Sequence, residues 1–263
     1  MAAAGLFLPA VSLWWREIVR FYRQPSRVVG VIISPVVFWL VIGSGFGRSF
    51  RSEAVRGHEN YLSFFFPGAL IMIVLFTSIF TMMSVIEDRR EGFLLSVLVA
   101  PVHRSAIVLG KVLGGTTLSA VQGLVFLIFA PLVGVQAGAA QLGLVGLIVL
   151  LISFSLTALG FTIAWRMDST QGFHAVINLF LIPLWLLSGA LFPIAGASGW
   201  IRLLMRLNPL TYGMEALRVL LFPQSASPAF PLAVSLGILA LFSATMFLLA
   251  FLVANRRSTR PAV

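Results

Sequence analysis

Apolar residues run without alternation through six stretches of this chain: Val28–Gly47, Tyr61–Ile86, Ser105–Pro131, Leu142–Trp165, Gly172–Ile194 and Pro228–Ala254. A helix crosses a bilayer in about 20 apolar residues, and each stretch reaches that length. Leu, Ile, Val and Phe fill them continuously, whereas the strands of a membrane barrel alternate apolar and polar positions. In lipid only helices and closed barrels satisfy every backbone polar group. The pattern predicts an all-α membrane protein with six transmembrane helices.

Shorter elements lie between these runs. In Leu6–Gln24, the residues Val11, Trp14, Ile18 and Phe21 or Tyr22 recur at helical spacing, with Arg16, Arg20 and Arg23 between them. This predicts an N-terminal amphipathic helix in the membrane interface, acting as an anchor or also touching a soluble partner. Pro25 ends it, because proline disfavours helical geometry in the preceding residue. After the second run, Phe93–Ala100 is apolar but too short to span. Charged turns at Glu87–Gly92 and at Pro101, His103 and Arg104 flank it. It reads as an interfacial linker or as a coupling helix that a soluble partner grips and that pulls directly on spans two and three. Between Phe192 and Pro228, two short helical patterns, Trp200–Leu207 and Thr211–Leu221, flank Asn208-Pro209. They suit re-entrant helices in the outer leaflet, where covered irregular backbone is tolerated. The whole chain, 1–263, then reads as one transmembrane domain. Residues 6–27 form the interfacial helix, 28–86 spans one and two, and 87–104 the coupling region. Residues 105–194 form spans three to five, 195–227 the outer re-entrant helices, 228–254 span six and 255–263 a tail.

Composition agrees with this reading. The 263 residues are 59% hydrophobic and 10% charged, too apolar for a soluble domain to cover. Of the 18 basic residues, twelve fall on the side of the two termini and six on the other. The positive-inside rule then places both termini on the cytoplasmic side of the membrane, expected to be a prokaryotic cell membrane. The net charge of +10 reflects this bias, with no basic run on a soluble fold to suggest nucleic-acid binding. Met1–Pro9 lacks the basic leader of a cleavable signal. No cysteine is present, which excludes disulfides and thiolate metal sites.

Few residues carry chemistry of their own. Gly110-Lys111 is no phosphate-binding loop, because Ser105 stands five before Gly110 and Val112 follows the lysine. Gly110 and Gly114 instead suit close helix packing. Gln171, His174 and Asn178 share one face of span five, which would turn toward the bundle interior or lie at the interface. His58, His103 and His174 are too scattered for a metal site. An ion-coupled secondary transporter is the alternative function, but the carboxylates it would need at mid-membrane are absent, and Glu215 is the one acidic candidate. A membrane hydrolase would need a paired acid, base or nucleophile within the spans, and the sequence has none.

The order of elements resembles the permease subunits of ABC-2 type ABC transporters, the drug and polysaccharide exporters. The resemblance covers nearly the whole chain and rests on three places: the amphipathic helix ahead of six spans, and two motifs. The stretch Arg90-Glu91-Gly92-Phe93-Leu94-Leu95-Ser96-Val97-Leu98-Val99-Ala100-Pro101 is similar to the family's coupling segment, which reads R-E-x-G-T or R-E-G-T and then L-E-x-L-L-V-x-P. Phe93 replaces the usual Thr, and Leu95 an acidic residue. Ser188-Gly189 through Phe192-Pro193, then Leu207-Asn208-Pro209-Leu210-Thr211-Tyr212, resemble the end of span five and the N-P-x-x-Y element. The resemblance implies that Arg90, Glu91, Gly92, Phe93, Leu94, Leu98 and Pro101 couple to an ABC ATPase, and that Trp200, Asn208, Pro209 and Tyr212 form an outer gate. It further implies a dimer with a second permease subunit, in the simplest case a homodimer, in contact with membrane lipid. ATP and magnesium would be bound by the partner ATPase, leaving this subunit without a cofactor or enzymatic activity.

Overall fold

The computed structural model describes residues 5–46, 60–100, 102–224 and 228–255. The connection between the first two apolar runs, at 47–59, together with Pro101 and the tail beyond Asn255, lies outside the described residues. Among the described residues eleven α-helices follow one another: α1 (Phe7–Tyr22), α2 (Pro25–Phe46), α3 (Tyr61–Thr81), α4 (Met83–Arg90), α5 (Phe93–Val99), α6 (Arg104–Phe126), α7 (Ala139–Ala164), α8 (Thr170–Trp185), α9 (Gly199–Leu207), α10 (Pro209–Leu221) and α11 (Leu232–Asn255). Among the described residues, six segments are long and apolar enough to cross a membrane: Val28–Phe46, Tyr61–Arg90, Arg104–Val133, Ala139–Ala164, Thr170–Ala190 and Leu232–Asn255. The chain is a multi-pass α-helical membrane protein.

Span two is the centre of the bundle. Nearly all of α3 is buried, and it touches α2, α6, α7 and α10. Trp39 fastens span one to it, donating from Nε1 to the Leu62 carbonyl at 3.0 Å and packing edge-on against Phe66 and Phe126 at 5.5 Å. Span six lies on the rim, against α7 and α10. Arg104 at the start of α6 meets the Ala254 carbonyl at the end of α11. One end of the bundle therefore collects α1, the α4–α5 turn and the end of span six, with most of the described arginines. The hairpin α9–α10 occupies the opposite end.

The face of α1 differs from the expected one. Ala10, Leu13, Glu17 and Phe21 are buried, while Val11 is 39% and Trp15 58% exposed. The stripe is turned because α1 lies on α6. A Cβ on Gly110 would fall 2.6 Å from the Leu13 Cβ and 2.8 Å from the Ala10 carbonyl oxygen. A Cβ on Gly114 would fall 2.8 Å from the Glu17 Cβ. The two glycines thus bring the α1 backbone against span three, a small-residue seam between helices.

Candidate functional site

The basic end holds the expected coupling segment. Gly92 turns α4 into α5 with φ of +77°, a left-handed conformation that glycine adopts without a Cβ penalty. On α5, Leu94 points inward against Leu13, Ile107 and Trp165. Leu95, Ser96 and Val99 point outward, Val99 being 85% exposed. Leu94 thus seats the helix, and the outward row Leu95, Ser96 and Val99, absent from the expected contact residues, is the face available to a partner. Leu98 and Phe93 lie half-buried along the flank.

Charged pairs brace α4, just ahead of this helix, from both sides. Arg89 donates to Asp168 at 2.9 Å and to the Met167 carbonyl at 3.0 Å, and also reaches the Trp165 carbonyl. Arg90 Nε donates to the Asp168 carbonyl at 2.9 Å. These bonds fix the α4–α5 turn to the connection between spans four and five. On the other side, Arg16 grips Asp88 with two parallel bonds of 2.9 and 2.8 Å, the fork geometry at which guanidinium is strongest. The Arg16 guanidinium also lies 3.7 Å over the Phe93 ring. Arg20 donates to Asp88 and Glu87, both at 2.7 Å, and stands 3.8 Å from Glu91. Partial burial lowers the basicity of Arg16, but the hydrogen bonds and charge of Asp88 outweigh it and raise the pKa above its ordinary value. Arg16 therefore stays charged at any physiological pH.

Beneath these pairs lies Lys111, only 1% exposed. Its ammonium donates to Glu17 at 2.6 Å, to Ser84 at 3.0 Å and to Asp88. Ser84 in turn donates to Glu17 at 2.6 Å. Counting basic residues by side treats Lys111 and Arg16 alike and misses this network. Half of the signal lay in the sequence, because Lys111 stands inside an apolar run, but the stripe that Glu17 shares with Ala10, Leu13 and Phe21 emerges only once α1 is seated on span three.

At the opposite end, α9 and α10 form a hairpin around Asn208. Asn208 caps α10, its Oδ1 accepting from the Leu210 amide at 3.0 Å, and Pro209 takes the first helical position. Asn208 Nδ2 donates to the Leu184 carbonyl at 2.6 Å, deep on span five. Tyr212 Oη donates to the Arg206 carbonyl at 2.8 Å, tying α10 to α9. Trp200 is 68% exposed on the outer face of α9. Span five breaks at Leu186–Ala190, where Gly189 has φ of +87°. Buried Arg218 donates to the Gly189 carbonyl at 2.6 Å and to Glu215 at 3.3 Å, with its guanidinium 4.2 Å over Phe64. The pair is thus the pin that fastens the hairpin to the break in span five.

The polar residues of span five turn away from the core of their own chain. Gln171 and Asn178 are exposed, beside exposed Leu179 and Phe180, while His174 is half-buried against Phe80 at 5.4 Å. Next to them a crevice of about 280 Å³ opens between α2, α3 and α8, lined by Phe38, Met72, Phe76 and Trp185 among others. Among the described residues no three of His, Asp and Glu come together to hold a metal ion.

A model of the ABC-2 type transporter family matches residues 10–222. Relatives extend over most of the chain. The putative transport permease ycf38 of Cyanophora paradoxa is 28% identical over 91% of this chain and 78% of its own. The daunorubicin resistance ABC transporter permease protein DrrB1 of Streptomyces coeruleorubidus is 24% identical over 87% of this chain and 81% of its own. The probable doxorubicin resistance ABC transporter permease protein DrrC of Mycobacterium tuberculosis is 24% identical over 82% of this chain and 78% of its own.

Proposed function

The chain belongs to the ABC-2 type transporter family as an ABC transporter permease subunit, and on that premise we propose that it exports small molecules by coupling to separate ATPase subunits. The observation that carries this reading is α5. A seven-residue apolar helix with an outward row at Leu95 and Val99 is costly to leave in water, and here α4, which leads into it, is braced from both sides by ion pairs. Braced and exposed together, it suits a rigid partner groove. Arg90, Glu91 and Gly92 shape its entry, and Pro101 follows it in sequence. ATP and magnesium belong to the partner in this reading. Resistance permeases among the relatives support export.

A second permease subunit, in the simplest case an identical copy, would cover α8. Asn178 is exposed midway along a span, and polar side chains at that depth are costly unless another chain meets them. The transport path would then run between the two copies, and the hairpin with Trp200, Asn208, Pro209 and Tyr212 would close its outer end.

Glu91→Lys tests the coupling assignment. Glu91 is 62% exposed in its side chain, so the reversal leaves the fold intact. A desolvated partner charge at the ATPase interface would make the loss about 2–5 kcal/mol. We expect normal expression, weak retention of the partner ATPase, and loss of substrate-stimulated ATP hydrolysis. Glu59→Lys, between spans one and two, should behave as wild type. Equal pull-down and transport by the two variants would show the segment to be a linker.

Orientation follows from the basic asymmetry, twelve residues against six. Reporter fusions after Arg104 and Arg257 should read cytoplasmic and one after Arg56 external. A cytoplasmic signal at Arg56 would reverse the topology and move the coupling helix away from any cytoplasmic ATPase.

A further inference from the structure

We infer that Lys111 is a positioning residue for coupling, whose ammonium locks α1, α4 and span three into one body and, through Asp88 and Arg16, sets the attitude of α5. This rests on the coupling reading above. Three facts carry it. Lys111 is sealed from solvent, and each hydrogen-bond partner of its ammonium lies on a different helix from its own: Glu17 on α1, and Ser84 and Asp88 on α4. Asp88, buried as completely, is held at once by Lys111, Arg16 and Arg20. Arg16 then stacks on Phe93, the first residue of α5. A push on α5 therefore enters span three through side chains as well as through the chain that joins α5 to α6.

Stability alone does not account for such a network. Buried ion pairs hold helices together no better than well-packed apolar residues of similar size. What ions add is a single permitted geometry, because every donor must meet its acceptor. Gly110 and Gly114 flank Lys111 by one residue and three, and admit α1 closely enough for Glu17 to reach it. The seam and the ion cluster are one arrangement.

The paired variant Lys111→Met with Glu17→Met tests this, since it removes one charge of each sign and leaves Asp88 with two arginines. The chain has no native cysteine, so Ser12→Cys on α1 and Ser96→Cys on α5, both exposed, accept spin labels cleanly. Labelled chain is diluted into unlabelled chain to suppress distances between copies. We expect a narrow label–label distance distribution in the parent, and a broad one in the paired variant at similar thermal stability. In complex with the ATPase, transport per ATP hydrolysed should fall about tenfold while ATPase binding persists. Arg16→Lys, which keeps the charge but loses the fork and the ring contact, should broaden the distribution in the same way, and it decides the question if the paired variant does not fold. An unchanged distribution with unchanged transport per ATP would overturn the inference and leave the cluster as simple glue. The distance measurement needs no ATPase, so failure of the wild-type chain to bind one would overturn the coupling reading separately.

Discussion

Gly110→Leu is expected to detach α1 from span three and to abolish retention of the ATPase. The hydrogen of Gly110 faces the α1 backbone, and a Cβ there would meet the Ala10 carbonyl oxygen at 2.8 Å and the Leu13 Cβ at 2.6 Å. A leucine adds three more carbons to a space that does not hold the first. Backbone cannot rotate aside as a flexible side chain does, so α1 must move as a whole. Overpacking of this kind typically costs about 1–3 kcal/mol, and more where backbone is struck. Moving α1 also draws Glu17, Arg16 and Arg20 from their partners, exposing a half-paired cluster around Lys111 and Asp88. Gly143→Leu on α7 is the control, because a Cβ there meets nothing within 4 Å. Thermal unfolding in detergent should show a clear drop for Gly110→Leu and none for Gly143→Leu. Equal curves would mean that α1 is held loosely and that the seam is not structural.

Arg218→Met should be the most damaging single change in the outer hairpin. Arg218 and Glu215 are both buried, and Glu215 also accepts from the Ala229 amide at 3.2 Å. Removing one partner of a buried pair leaves an uncompensated charge, a loss of about 3–5 kcal/mol. The carbonyl of Gly189, at the break in span five, loses its donor as well. Arg218→Met with Glu215→Gln should recover most of the stability, since no charge is stranded and glutamine still accepts from Ala229. Transport should stay low in the double variant, because the hairpin remains unpinned from Gly189. Tyr212→Phe removes one exposed hydrogen bond and should cost about 1 kcal/mol. Unfolding temperatures and transport rates for the three variants decide this, and full transport by Arg218→Met would contradict a gating role for the hairpin.

The spans were legible because their signal is local. Val28–Gly47 reads as a span and the helix runs through Phe46, and Phe93–Ala100 reads as a short helix and ends at Val99. The outer hairpin could be read for a similar reason: Asn-Pro is a capping pair in any context, and it opens α10. What could not be read was tertiary. Glu17 and Lys111 are 94 positions apart, and nothing in either neighbourhood names the other. The polar face of span five shows the same gap. Spacing aligns Gln171, His174 and Asn178, but which way the helix turns depends on what α3 and α2 leave uncovered, and Gln171 and Asn178 turn outward. On α5, a resemblance marks the segment but does not sort its residues. Leu94 faces in and Leu95 faces out because Leu13, Ile107 and Trp165 form the floor beneath the helix.

Reconstitution with the ABC ATPase that co-purifies with this chain tests the central claim most directly. The chain alone in liposomes should hydrolyse no ATP and move no substrate. Adding the ATPase with magnesium and ATP should start transport, and substrate should then stimulate hydrolysis. ATP-independent transport by this chain alone, driven by an ion gradient, would contradict the account and make it a secondary transporter.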